Sequence, residues 1–279
     1  MPPPWQLSAP EAHVLQYRGG CWRDEPFKLA VKELVARSVL RVERRPHGRL
    51  PGGSPRQVLV DGPLIESEVA APLTAVLAAY RKALSRSRIV VCAGRTTAKP
   101  MAGVSIDALR KAAREEFGAV KRYHLREVVP VLVDRGLLTP AATRGRRGKP
   151  NYDWTAAGRQ ADAELEEWMA LGRRSLPVWR AEGDLRKGAA YLAGAGASCL
   201  LTPEIYLERH RLELRSQRVA AGFDTSDRPD TADQLDVDLG GLDAAFGGMV
   251  GVDGAGDLGG SGGGGDGGGV GGGGGGGGG

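Results

Sequence analysis

The sequence predicts a mainly helical protein with small β-hairpin wings (α+β), followed by a tail that does not fold. Three observations predict it. Apolar residues recur at helical spacing through most of the chain up to Gly222. A helix, strand, basic turn, strand, helix order occurs twice, offset by 98 residues. Composition then changes abruptly, with more than half of the 44 Gly at or after Gly240.

Charge divides at the same place. The whole chain carries +5, but from Phe223 onward there are ten Asp against one Arg, so the tail holds −9 and the body +14. A body this basic points to a polyanionic partner, nucleic acid or an anionic membrane surface.

Taken in order, Ser8 caps a first helix with Glu11 three residues on, the spacing of a capping box, and Gly19-Gly20 ends it. Asp24 precedes a second helix whose stripe is Phe27, Ala30, Val31, Leu34 and Val35. Val39, Leu40 and Val42 then alternate as a strand. The segment RRPHGRLPGGSPR is a turn by its Pro and Gly content, Gln57–Val60 is a returning strand, and Glu66–Leu84 a long Ala/Leu-rich helix. RIVVC is a short strand in the link that follows.

Ser105 caps a helix through Phe117, which Gly118 breaks. The stretch 123–159, YHLREVVPVLVDRGLLTPAATRGRRGKPNYDWTAAGR, repeats the earlier order. Leu132-Val133 matches Leu34-Val35, Arg135 matches Arg37, and Leu137-Leu138 matches Val39-Leu40. Thr155 caps a helix over about Ala156–Arg173. Helices over Asp184–Leu201 and Pro203–Arg218 follow. The expected division is a first module over 1–100, a second over 101–175, a helical extension over 176–221 and an acidic Gly-rich tail over 222–279. Such a tail buries too little apolar surface to offset the entropy of ordering it. Carrying −9, it could also fold back over the basic turns and compete with a polyanion.

No residue set argues for catalysis, so the chain is read as not an enzyme. His13, His47, His124 and His210 stand apart, and no metal site or cofactor follows from them. Glu115-Glu116 and Glu166-Glu167 are adjacent in sequence and read as surface carboxylates. Cys21, Cys92 and Cys199 are isolated, which suits a reducing, cytoplasmic setting, and the N-terminus does not read as a secretory signal. The uncharged run Gly188–Pro203 falls short of the ~20 residues a spanning helix needs.

The basic turns remain. Arg44, Arg45, Arg49 and Arg56 flank the first, and Arg144, Arg146, Arg147 and Lys149 fill the second. Arginine-rich turns suit phosphate contacts, which position a protein without specifying sequence. Lys28 and Lys32 lie four apart on the second helix, expected to be turned outward. In the second module Leu125, Val128, Val129 and Leu132 should be buried, leaving Glu127, Pro130 and Asp134 outward. Two carboxylates there repel phosphate, and base-edge readers are nearly absent.

The motif VPVLVDRGLL, a basic turn and YDWTAAGR resembles winged-helix transcription regulators, over roughly Met101–Arg174. That resemblance implies a winged-helix fold, and with the repeat two such modules in tandem. The whole layout is similar to a group of uncharacterised actinobacterial proteins. Those combine an LxxRGxL-type helix end, an Ala-rich segment like AAYLAGAGASCLL and a Gly-rich or Gly/Cys-rich terminus; the tail here lacks Cys. It distantly resembles the Golgi phosphoprotein three family, whose members bind phosphoinositide head groups, and none of that family's lipid-binding residues is carried over. The expectation is a non-enzymatic, cytoplasmic binding protein that contacts nucleic acid through phosphates. The alternative is an adaptor that docks on a protein or an anionic membrane surface.

Overall fold

A serine begins the first helix in the way its spacing predicts. The Ser8 backbone N–H and hydroxyl both donate to Glu11 Oε2, at 2.7 and 2.6 Å. Helix α1 (Ala9–Gln16) runs from there, with Pro10 in a first turn where a missing donor costs nothing. This is a computed structural model. It describes residues 6–18, 24–45, 56–87, 90–92, 95–97, 103–142, 151–182, 185–202 and 205. Helices dominate the described residues, with small antiparallel sheets between them.

Helix α2 (Glu25–Ala36) starts after Asp24 and buries Phe27, Ala30, Val31 and Leu34, the stripe read from the sequence. Strand β1 (Leu40–Arg45) pairs antiparallel with β2 (Arg56–Asp61), Leu40 opposite Asp61 and Arg45 opposite Arg56. Helix α3 (Ala71–Ser87) begins five residues later than expected. Residues 63–66 are a turn, and Pro72 takes a first-turn position, where its fixed φ favours initiation. The strand expected in RIVVC is β3 (Val90–Cys92), paired with β4 (Arg95–Thr97).

Strand β5 (Val104–Ser105) joins the free side of β2, so the first sheet is ordered β1-β2-β5. Ser105 Oγ then accepts from the Ala108 N–H at 3.2 Å and opens α4 (Ile106–Phe117). Gly118, at φ 77°, closes it. A 3-10 turn over 120–122 and a π turn over 124–128 lead into α5 (Val129–Asp134). The widened turn meets the difficulty posed by Pro130, which lacks an N–H and would crowd an ordinary helical turn before it. With the α-helical ladder restarting at Val129, Pro130 falls in the first turn of α5.

Strands β6 (Leu138–Pro140) and β7 (Tyr152–Trp154) form the second hairpin. Thr155 Oγ1 accepts from the Gly158 N–H at 2.9 Å, and α6 (Ala156–Ala181) runs past the predicted end, through Pro177. Helix α7 (Leu185–Ala195) continues into a 3-10 segment over 196–201. Of the helix expected over Pro203–Arg218 only Ile205 is among the described residues, helical and buried; both turn tips and the tail lie outside them.

The 98-residue offset is reproduced bond for bond at the two helix ends. Arg37, Ser38 and Val39 N–H groups donate to Glu33, Val35 and Leu34; Arg135, Gly136 and Leu137 donate to Val131, Val133 and Leu132. This is a Schellman ending, which needs a left-handed residue: Ser38 at φ 58° in the first copy and Gly136 at φ 70° in the second. Strands begin at Leu40 and Leu138, the same offset again. After each hairpin the returning chain donates to the same carbonyl, Gly62 to Val39 and Thr155 to Leu137.

One apolar cluster joins both copies. Phe27 of α2 lies 6.4 Å from the Phe117 ring of α4 and 5.6 Å from Tyr123, edge on, and Phe117 and Tyr123 are 5.3 Å apart. Edge-to-face packing of this kind adds to the area the rings bury. Tyr123 is fully buried, and its hydroxyl donates to the Pro72 carbonyl at 2.9 Å.

Candidate polyanion-binding surface

The two hairpins bring some of the sequence-predicted cations to defined places. Arg44 and Arg45 end β1, and Arg56 begins β2 directly opposite Arg45, so the chain enters and leaves the first turn through arginines. Arg49, Arg144, Arg146, Arg147 and Lys149 lie outside the described residues. The strands that carry the second turn, β6 and β7, are in place on either side of it.

Lys28 departs from expectation. Its ammonium lies 3.2 Å from Glu25 Oε2 and 3.6 Å from Asp24 Oδ1, and its side chain is 18 % exposed. Asp24 is also held by Arg110 of α4 at 2.9 Å, so Lys28 belongs to a charge group that reaches beyond its own helix. Lys32 is half-buried rather than fully outward. The apolar stripe alone could not show this, because it identifies the most buried face of α2 and not the second neighbour beside it.

The second-module helix has the surface the sequence predicts. Val128, Val129 and Leu132 are buried and Leu125 is half-buried, while Pro130 and Asp134 are exposed and Glu127 is partly so.

Sequence reasoning missed three cations just ahead of that helix. Lys121 and Arg122 occupy the 3-10 turn and Arg126 the π turn, all exposed. The run KRYHLR carries the signal, three cations in six residues outside both basic turns. Arg126 Nη1 donates to the Glu116 carbonyl at 3.1 Å, at the C-terminal end of α4. Arg122 Nη1 lies against Gly118, 3.5 Å from where a Cβ would stand. None of the three is in an ion pair with a described carboxylate.

Glu127, next to Arg126, is half-buried, and the two carboxylates just before the run are already matched. Arg86 of α3 meets Glu115 at 2.6 Å, and Lys82 meets Glu116 at 3.2 Å. The Arg86 hydrogen bond holds the Glu115 carboxyl below its ordinary range. Glu166 and Glu167 are exposed on α6.

A second group of charges is buried and ties the molecule together. Glu33 accepts from the Ala9 N–H at 2.7 Å and from Arg37 Nε at 2.8 Å. Glu11 faces Arg135 at 3.4 Å. Arg37 and Arg135 are the repeat-related pair. Burial pushes the Glu33 carboxyl upward, against the opposing pull of the Ala9 and Arg37 bonds. Among the described residues, no three His, Cys, Asp or Glu side chains gather as metal ligands.

At the base of the second hairpin, Trp154 Nε1 donates to the Leu15 carbonyl at 2.7 Å, and the Arg18 guanidinium sits over its ring at 4.0 Å. Asp162 of α6 is buried with Oδ1 unbonded. Burial first, and Glu166 next, push its carboxyl up to about 6, against the nearby Arg18.

No helix among the described residues is long and apolar enough to cross a membrane. Set against models of protein families, curated proteins and solved structures, the chain matches none.

Proposed function

We propose that this chain is a non-enzymatic, cytoplasmic binding protein whose two hairpins serve as wings of tandem winged-helix-like modules and contact nucleic acid through its phosphates. The observation that carries the reading is the duplicated junction. Twice, a helix ends in the same hydrogen-bonded reversal and passes directly into a hairpin whose turn is rich in arginine. A +14 body supplies the long-range attraction for a polyanion. With Glu127, Pro130 and Asp134 on the open side of its helix, the second module is unsuited to reading base edges. Binding then has weak sequence preference and strong salt dependence.

Full-length protein should shift duplex DNA at about 50 mM salt, where even non-specific binders retain affinity. Replacing Arg144, Arg146, Arg147 and Lys149 together by Ala should weaken that binding to a similar degree on unrelated sequences, measured by fluorescence anisotropy. No shift at low salt would sink the nucleic-acid reading.

A second reading is an adaptor that docks on a protein, which the acidic, Pro-containing face of α5 suits, or on an anionic membrane surface through the same basic turns. Co-sedimentation with anionic vesicles, without affinity for DNA, would select it.

A further inference from the structure

The geometry points to Lys121, Arg122 and Arg126 as a second phosphate-contacting ridge, one that grips the backbone of duplex DNA; it rests on the nucleic-acid reading above. Three cations stand within six residues, exposed, without a carboxylate partner among the described residues. Lys111, Arg159, Arg173 and Arg174 are exposed as well but do not gather in one run, and many other cations are paired. Lys28, Arg37, Arg81, Lys82, Arg86 and Arg135 all have carboxylates within 4 Å. Glu115 and Glu116, the acids just before the ridge, are neutralised from α3, which leaves half-buried Glu127 as the one carboxylate set against its three cations within 118–128.

The ridge is also held in place before any partner arrives. Tyr123 stands inside the basic run, fully buried and bonded to the Pro72 carbonyl, so the turn that carries the cations is pinned to the core. One Arg126 N–H is tied to the Glu116 carbonyl. A guanidinium has five N–H donors, so the others are left for a phosphate. Gly118 presents no Cβ to the Arg122 guanidinium beside it. A cation set that is already positioned loses less freedom on binding.

The chemistry favours a duplex over a single strand. Single-strand binders stack bases on exposed aromatic rings. The rings here face inward: Tyr123 is fully buried and His124 is 7 % exposed. Phosphate contact alone remains, and it suits the regular double backbone.

The test is a titration of full-length protein with a short labelled DNA duplex from about 50 to 200 mM salt. Each phosphate contact contributes about 0.9 to the slope of log affinity against log salt. K121A/R122A/R126A should therefore lower the slope by about 2–3 and cost at least tenfold at the low-salt end, equally on two unrelated sequences. K121Q/R122Q/R126Q, which keeps polar side chains, should do the same with an unchanged melting temperature, separating charge from a capping role at the end of α4. R81A, which removes a paired cation and leaves Glu115 and Glu116 neutralised, should leave the slope as it is. If the wild type binds duplex and both triple variants keep its slope, the ridge is wrong while the wing reading stands. Tighter binding to a single-stranded oligonucleotide overturns the duplex assignment. If the protein binds neither, or only vesicles containing phosphatidylserine, the ridge and the nucleic-acid reading fall together.

Discussion

Asp162 holds a carboxyl where the fold does not welcome a charge. Its pKa rises from an ordinary 3.8 to about 6 because the group is buried and faces Glu166, with Oδ1 unbonded. An acid with a raised folded-state value binds its proton more tightly when folded. The ionised form therefore destabilises the protein fully above about 6, and the penalty fades as pH falls through the interval to 3.8. Asp162→Asn removes the charge and keeps the shape. Its melting temperature should rise by about 2–4 °C at pH 7.5, equivalent to ~1 kcal/mol in a chain of this size, and should not rise at pH 4. A loss of stability at pH 7.5 would mean that Arg18 contributes more than burial removes.

Elements are decided by closer contacts than periodicity can report. Both hairpins return to the helix end so tightly that a Cβ on Gly62 would press into the Ser38 carbonyl, and one on Gly158 into the Leu137 carbonyl. Backbone cannot retreat as a flexible side chain can. Gly62→Ala and Gly158→Ala should each cost more than about 2 kcal/mol in urea unfolding, toward the high end for single substitutions. Gly136→Ala meets open space but a left-handed backbone, and should cost only about 1–2 kcal/mol.

Much of this layer was legible in sequence. Ser8, Ser105, Thr155 and Gly118 mark helix ends through local hydrogen bonds and backbone geometry, so their types alone announce them. The repeat was legible because the Schellman reversal needs the same pattern twice. What was not legible depended on neighbours distant in sequence. The late start of α3 followed a turn at 63–66, the Asp24 that pairs with Lys28 is held by Arg110 of α4, and the pairing of β5 with β2 joins residues some 45 apart. The ridge at 121–126 escaped for a different reason. Its cations matter only because Tyr123 anchors them and Lys82 and Arg86 neutralise the acids nearby, and neither fact is local.

Across the whole molecule, the two copies share one core. Phe27 from the first meets Phe117 and Tyr123 from the second, and Trp154 hydrogen-bonds to α1. Thermal unfolding followed by far-UV circular dichroism and by tryptophan fluorescence should therefore give coincident single transitions. Two separated steps would show that the copies melt independently. Helix α1 has a further part in this arrangement. It touches both α2 and α5, two helices with matching ends. The copies differ at one telling position, where Glu33 in the first has Val131 as its counterpart. A carboxylate attracts the N–H groups that open a helix, and a valine cannot. Glu33 accepts from Ala9, the first residue of α1, and so ties that end of the helix to α2. One acid in place of one aliphatic residue gives the first copy a hold on the start of α1 that the second copy cannot offer at the same position.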